Sequence, residues 1–216
     1  MTGVMKNTAI VIAYFFVLIL ASGIAMILAS QWVRASSEVW VVRQVAPYVV
    51  FSVSLFLGVI LYGKLKGSSE FRSLGQLNVT GVVTSSLLGC VLFVGSVFIN
   101  HLIGIGLEDS AVHSTMSPAR FYPYLAMTLL LTGVVQPYLE EVVFRGAMFP
   151  AARQGIGLIP AIIVVSLIFT LFHSSFLVTS FIFSVCMCVL RYRVNLFTCV
   201  VAHCAHNVCS VLVDAF

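Results

Sequence analysis

Charge is what this chain lacks. Eleven Lys and Arg plus seven Asp and Glu make 18 charged side chains in 216 residues, or 8%. A soluble globular domain carries roughly 25%. Apolar residues make up 61%, so too little polar surface remains to clothe a globule in water. That excludes a cytosolic enzyme, a secreted disulfide scaffold and a disordered chain. No C-x-x-C occurs. The six cysteines (Cys90, Cys186, Cys188, Cys199, Cys204 and Cys209) all lie in apolar runs. They read as small packing residues and say little about redox compartment. No basic tract interleaved with aromatics is present, which argues against a nucleic-acid partner. No internal repeat or low-complexity tract is visible either.

The gaps between charges are long. Asn7 to Val33 spans 27 residues, Gln44 to Gly63 20, and Ser73 to Leu107 35. Phe121 to Leu139 spans 19, Gln154 to Leu190 37, and Val194 to Val213 20. About 20 apolar residues cross a bilayer as a helix. The 37-residue run splits into two short spans at a break near His173-Ser174-Ser175. The reading is an all-α polytopic helical bundle, one integral-membrane domain over 1–216. Its seven transmembrane helices fall at about 8–30, 44–63, 79–102, 121–150, 159–173, 176–190 and 194–213. Backbone polar groups in lipid must be satisfied within the segment, hence helices. The apolar stretch from Thr8 to Ser30 is longer than a signal-peptide core, so it reads as an uncleaved first span.

Basic residues set the expected orientation. Lys6, Lys64, Lys66, Arg72, Arg145, Arg153, Arg191 and Arg193 fall on the N-terminal side, and Arg34, Arg43 and Arg120 on the other. Eight against three places the N-terminus in the cytoplasm. Gly63 to Asn78 and Gly104 to Arg120 read as polar loops. Gln154-Gly155-Ile156-Gly157 reads as a tight link, with Pro160 in the first turn after it.

Ionisable groups inside a membrane are costly and face the protein interior. Three clusters lie in the last 80 residues. In the first, Glu141 and Arg145 are one helical turn apart in the favourable order. Glu140 lies about 100° round the helix from Glu141, beside Gly133, Gln136 and Phe144. With one basic partner for two carboxylates, Glu140 is left poorly compensated and suits a general base. The bland alternative is a solvated Glu-Glu-Arg at a cytoplasmic helix end. The second cluster is Phe169 to His173. In the third, His203 and Asn207 share a helix face, with His206 near it. His101 and His113 read as interfacial or loop residues. His-Glu-x-x-His and Gly-x-Ser-x-Gly are both missing, so zincin and serine-hydrolase patterns fail.

Glu-Glu-x-x-x-Arg, Phe-x-x-x-His and His-x-x-x-Asn, in that order on late membrane helices, resemble the CPBP family. That family takes in type II CAAX prenyl proteases, bacteriocin-processing or self-immunity proteins and the Abi group. The resemblance covers about residues 120–213. It implies a glutamate-type intramembrane endopeptidase acting on a peptide or a lipidated, CAAX-like protein. It further implies that Glu140 and His173 activate a water, that His203 and Asn207 stabilise the oxyanion, and that Glu141 and Arg145 hold the helix, with Phe169 as a supporting residue. No cofactor is required. A zinc-type metal on His173, His203, His206 and Glu140 is the alternative.

Two other function classes stay open. One is a non-catalytic membrane protein for bacteriocin immunity or scaffolding, its polar residues only locking helices. The other is a small-molecule transporter, for which an inverted repeat is lacking. The expected setting is a bacterial plasma membrane, with lipid and a peptide or lipidated protein as partners. Oligomeric state is not readable. One expectation strains the picture. A fourth span starting at Phe121 puts Glu140 about 28 Å along it, near the cytoplasmic end. His173 closes the fifth span on the outer side. For the two to meet, the fourth span must start later or tilt, or His173 must lie mid-helix.

Overall fold

The computed structural model describes residues 3–36, 40–66, 78–104, 117–173 and 177–216. Glu38, the polar stretch at 67–77, the outer stretch at 105–116 (with Glu108, Asp109 and His113) and Ser174-Ser175 lie outside the described residues. Helix starts follow local chemistry. Asn78 Oδ1 accepts from the Gly81 N–H at 2.5 Å and opens one helix. Asn195 Oδ1 accepts from the Thr198 N–H at 2.9 Å and opens another. Such side chains satisfy donors that a first turn leaves orphaned.

Seven helices form among the described residues, and no strand does. They are α1 Gly3–Ser36, α2 Trp40–Lys66, α3 Val79–Leu102, α4 at 118–156, α5 Leu158–Leu171, α6 Leu177–Arg193 and α7 Leu196–Ala215. Each expected span overlaps one of them. Asn7–Val33, Val79–Leu102 and Leu196–Ala215 are each long and apolar enough to cross a membrane, and Ala46–Tyr62 and Leu158–Leu171 are shorter apolar helices. The chain is an integral membrane protein by these helices. Its outward surface is apolar, with Val17, Ile24, Val91, Phe98 and Leu167 exposed. Three charged side chains, Glu140, Glu141 and Arg145, are buried in its interior, where a water-soluble protein rarely places them.

Two expectations are corrected. The fourth helix does not stop near 150 but runs on to Ile156. Gly157 then turns the chain at φ +84°, a value that favours glycine. Glu140 and His173 stand 17 and 16 residues either side of that turn (157 − 140 and 173 − 157). They are therefore level, each about 25 Å from the turn at helical rise. The depth conflict came from ending α4 too early. The second correction concerns Arg145, counted above as a cytoplasmic topology charge. It is fully buried and paired, so the orienting count is seven to three.

The helix α4 is not uniform. Leu131–Val135 and Val142–Met148 are π-helical. Each is followed closely by a proline, Pro137 or Pro150, which cannot donate to the preceding turn. Loosened turns leave carbonyls free for partners on other helices. Around α4 the apolar core gathers Phe15 from α1, Leu55 from α2, Phe169 from α5, Met187 from α6 and Cys199 from α7. Helix α3 closes against α7 at Gly89, where a Cβ would collide with the Ala202 carbonyl.

Candidate active site

Glu140 and Glu141 sit between the two π-helical segments of α4, and Arg145 lies within the second. Glu141 is fully buried. Its Oε1 accepts from Arg145 at 3.1 Å and from His203 Nδ1 at 2.8 Å. Arg145 is also fully buried and donates to the Ser184 hydroxyl at 2.8 Å and the Ser184 carbonyl at 3.2 Å. Its guanidinium lies 4.7 Å from the Phe169 ring centroid. The bland alternative of a solvated helix end is thereby excluded. Glu141 Oε2 and Arg145 Nε find no hydrogen-bond partner among the described residues.

Glu140 faces the other way. It is 6% exposed, and its Oε1 accepts from Gln136 Nε2 at 2.9 Å. Its Oε2 lies 3.9 Å from His173 Nε2 and 3.8 Å from His203 Nε2. Both gaps exceed direct hydrogen-bond length and suit an intervening water. The imidazoles are fixed from behind. His173 Nδ1 donates to the Phe169 carbonyl at 2.8 Å, and its ring stacks on Phe169 at 4.2 Å. A neutral His173 therefore presents the Nε2 lone pair to Glu140. The Phe-x-x-x-His spacing sets both contacts, because residues four apart share a helix face. His203 Nδ1 must donate, since Glu141 is a carboxylate already accepting from Arg145.

Asn207 is held at both ends of its amide. Its Nδ2 donates to the Thr132 carbonyl, in the first π-helical segment, at 3.0 Å. Its Oδ1 accepts from His206 Nδ1 at 3.1 Å. His206 Nε2 lies 3.5 Å from Ser96 Oγ on α3. Among the described residues, the second N–H of Asn207 has no hydrogen-bond partner. Arg191 Nε donates to the Arg145 carbonyl at 3.2 Å, so the second π-helical segment also serves a neighbouring helix.

All four residues singled out for chemistry, Glu140, His173, His203 and Asn207, line one cavity of about 500 Å³. Phe169 lines it as well, and Glu141 and Arg145 stand behind. Sequence reasoning missed His206 as the residue holding Asn207. It also missed Gln136 as the donor to Glu140 and Ser184 as the anchor of Arg145. His206 was the readable one, three positions after His203. The wall formed by α3, with Phe93, Ser96, Val97 and Asn100, had no motif to announce it. His101 is exposed, as expected of an interfacial residue. Among the described residues, no three of His, Cys, Asp and Glu are grouped to hold a metal ion.

A second chamber of about 230 Å³ lies against Glu140 and His173 on the side of α1 and α2, with a largely apolar lining that includes Ile19, Phe51 and Leu55. No curated protein and no solved structure matches the chain. A family model does, and it covers the motif residues from Glu140 to Asn207 but not the α3 wall. Residues 122–209, which hold every motif residue, match the Type II CAAX prenyl endopeptidase Rce1-like family, the CPBP family that the three motifs resemble.

Proposed function

We propose that this protein is a glutamate-type intramembrane endopeptidase that hydrolyses a peptide bond in a membrane-associated or CAAX-like lipidated substrate. Similarity to type II CAAX prenyl endopeptidases supports peptidase activity broadly. The observation carrying the finer reading is Glu140 Oε2, set 3.8 and 3.9 Å from two imidazole nitrogens inside a cavity. A water between them donates one proton to Glu140 and is oriented by His173. Its oxygen attacks the scissile carbonyl carbon. The proton then passes to the departing amide nitrogen, and the C–N bond breaks.

The oxyanion needs donors. Asn207 offers its remaining Nδ2 proton. In this reading His203 enters the cycle as an imidazolium held by the Glu141 carboxylate on its Nδ1 and offers Nε2–H, so the proton taken from the water goes to Glu140 alone. Glu141 thus acts as an orienting carboxylate and not only as a brace for the helix. Exclusion of bulk water strengthens both donors. The site has its N-terminus-cytoplasmic orientation by the basic-residue count, and a bacterial plasma membrane is the setting proposed for it.

Glu140→Gln keeps the shape and removes the base. Purified in detergent, that variant is expected to lose cleavage of a prenylated CAAX-type peptide by about 10³-fold or more. Undiminished cleavage overturns the reading. The metal-dependent version predicts loss of activity on chelation. Activity that survives chelation removes it.

A further inference from the structure

We propose that Asn100 on α3 is a substrate-binding residue that accepts a hydrogen bond from a backbone N–H of an extended peptide. The inference rests on the peptidase reading above. It concerns a helix outside the family-matched segment 122–209.

Phe93, Ser96, Val97 and Asn100 recur at i, i+3, i+4 and i+7, so they form one face of α3. All four line the cavity that Glu140, His173 and His203 line. Most of this face is already engaged. Ser96 Oγ donates to the Leu92 carbonyl at 2.9 Å and approaches His206. The Phe93 ring packs edge-on against His206 at 5.8 Å. Asn100 is the exception. The residue is only 7% exposed, and its Oδ1 has no hydrogen-bond partner among the described residues.

A buried amide oxygen without a donor destabilises the fold, and nearly all such groups are satisfied by protein or water. Asn100 stands on the wall of the very cavity where a peptide must lie to be cut. A peptide entering that cavity brings N–H groups stripped of water, which need acceptors as much as Asn100 needs a donor. A side-chain amide presents a donor and an acceptor in one plane, the pattern of the peptide group itself. The terminal torsion of asparagine is broad, so a small turn brings Oδ1 onto the cavity. This recognition reads the backbone and not side chains. It would hold the chain in register beside Glu140 while leaving sequence tolerance to other contacts.

The experiment uses full-length protein in detergent and a set of fluorescence-quenched farnesylated peptides. In each peptide one backbone N–H near the cleavage site is replaced by an ester oxygen. In the wild type, one position is expected to lower kcat/KM about tenfold. Asn100→Leu and Asn100→Ala are each expected to raise KM by about the same factor with kcat nearly unchanged, as loss of uniform binding does. In these variants the sensitive ester position is expected to cost nothing further. Asn100→Leu should melt no lower than the wild type, because it removes an unpartnered polar group.

A scan in which every ester costs wild type and variants alike overturns the proposal. So does an unchanged KM in both variants, the outcome if Asn100 holds only water. If Glu140→Gln is inert while the scan is flat, only the role of Asn100 falls. If Glu140→Gln still cuts, or if the wild type cuts none of the set, the peptidase reading falls and takes this inference with it.

Discussion

Glu140 and Glu141 are neighbours in the chain and opposites in their surroundings. Glu141 belongs to a network with Arg145, Ser184 and His203, of which only His203 also reaches the cavity. Glu140 has one hydrogen bond, from Gln136, and turns its second oxygen to a cavity between two imidazoles. One helix thus presents a charge neutralised for structure and, 100° round, the carboxylate proposed as the base. On the proposed reading, the difference is how the bundle can hold a reactive group. The cost of burying charge is met by a separate pair, so the reactive residue need not also serve as the brace.

The comparison breaks first at Glu140. Glu140→Gln should abolish activity, by about 10³–10⁴-fold, with the thermal melt unchanged. Glu141→Gln should lower both, because it strands Arg145 and loosens His203. Equal melts and equal activities for the two variants would show that their surroundings do not divide their roles.

Arg145→Met comes next. It leaves Glu141 buried with only His203 as partner, and removing one member of a buried pair typically costs about 3–5 kcal/mol. A fall in the melting temperature of the purified protein would show it. Replacing both, Glu141→Leu with Arg145→Leu, should restore most of that stability, since two matched apolar groups leave no lone charge. Activity should stay low in the double variant, because His203 has lost the carboxylate that orients it. Restored activity would reduce Glu141 to a brace.

How much of this could be read from the chain alone depends on whether a partner is near in sequence. The Glu141–Arg145 pair and the Phe169–His173 contact are helical neighbours, and their spacing announced them. His203 on Glu141 lies 62 positions away, and no period reaches that far. Glu140, His173, His203 and Asn207 fell into one cavity because the order of helices, legible from apolar runs, folds them together. The length of α4 was misjudged for a physical reason. Charge-free runs locate spans only while charges mark span ends, and Glu140, Glu141 and Arg145 sit in the interior. The π-helical turns had a signal in Pro137 and Pro150. Nothing in composition says that freed carbonyls at Thr132 and Arg145 would be taken by Asn207 and Arg191.

Asn207→Leu tests the open side. Loss of one oxyanion donor commonly costs about 10²–10³ in kcat, and KM should change little if the contact forms only in the transition state. His206→Phe should act through Asn207 and cost less, since the Thr132 carbonyl still holds the amide. If KM alone responds to Asn207→Leu, the residue binds substrate and does not stabilise the oxyanion.

The smallest effect is expected at Ser184. Its hydroxyl takes one Arg145 N–H at 2.8 Å, while its carbonyl takes another contact from the same nitrogen at 3.2 Å. Ser184→Ala removes only the first. A bond to a charged donor is worth about 1.5–3 kcal/mol, but the carbonyl remains to catch the freed N–H, so the loss should sit near 1 kcal/mol. Activity should be almost untouched, because Glu141 still neutralises Arg145 and still orients His203. A loss of activity larger than the loss of stability would mean that this network tunes Glu140 through His203, and that the two carboxylates are coupled more tightly than their separate contacts imply.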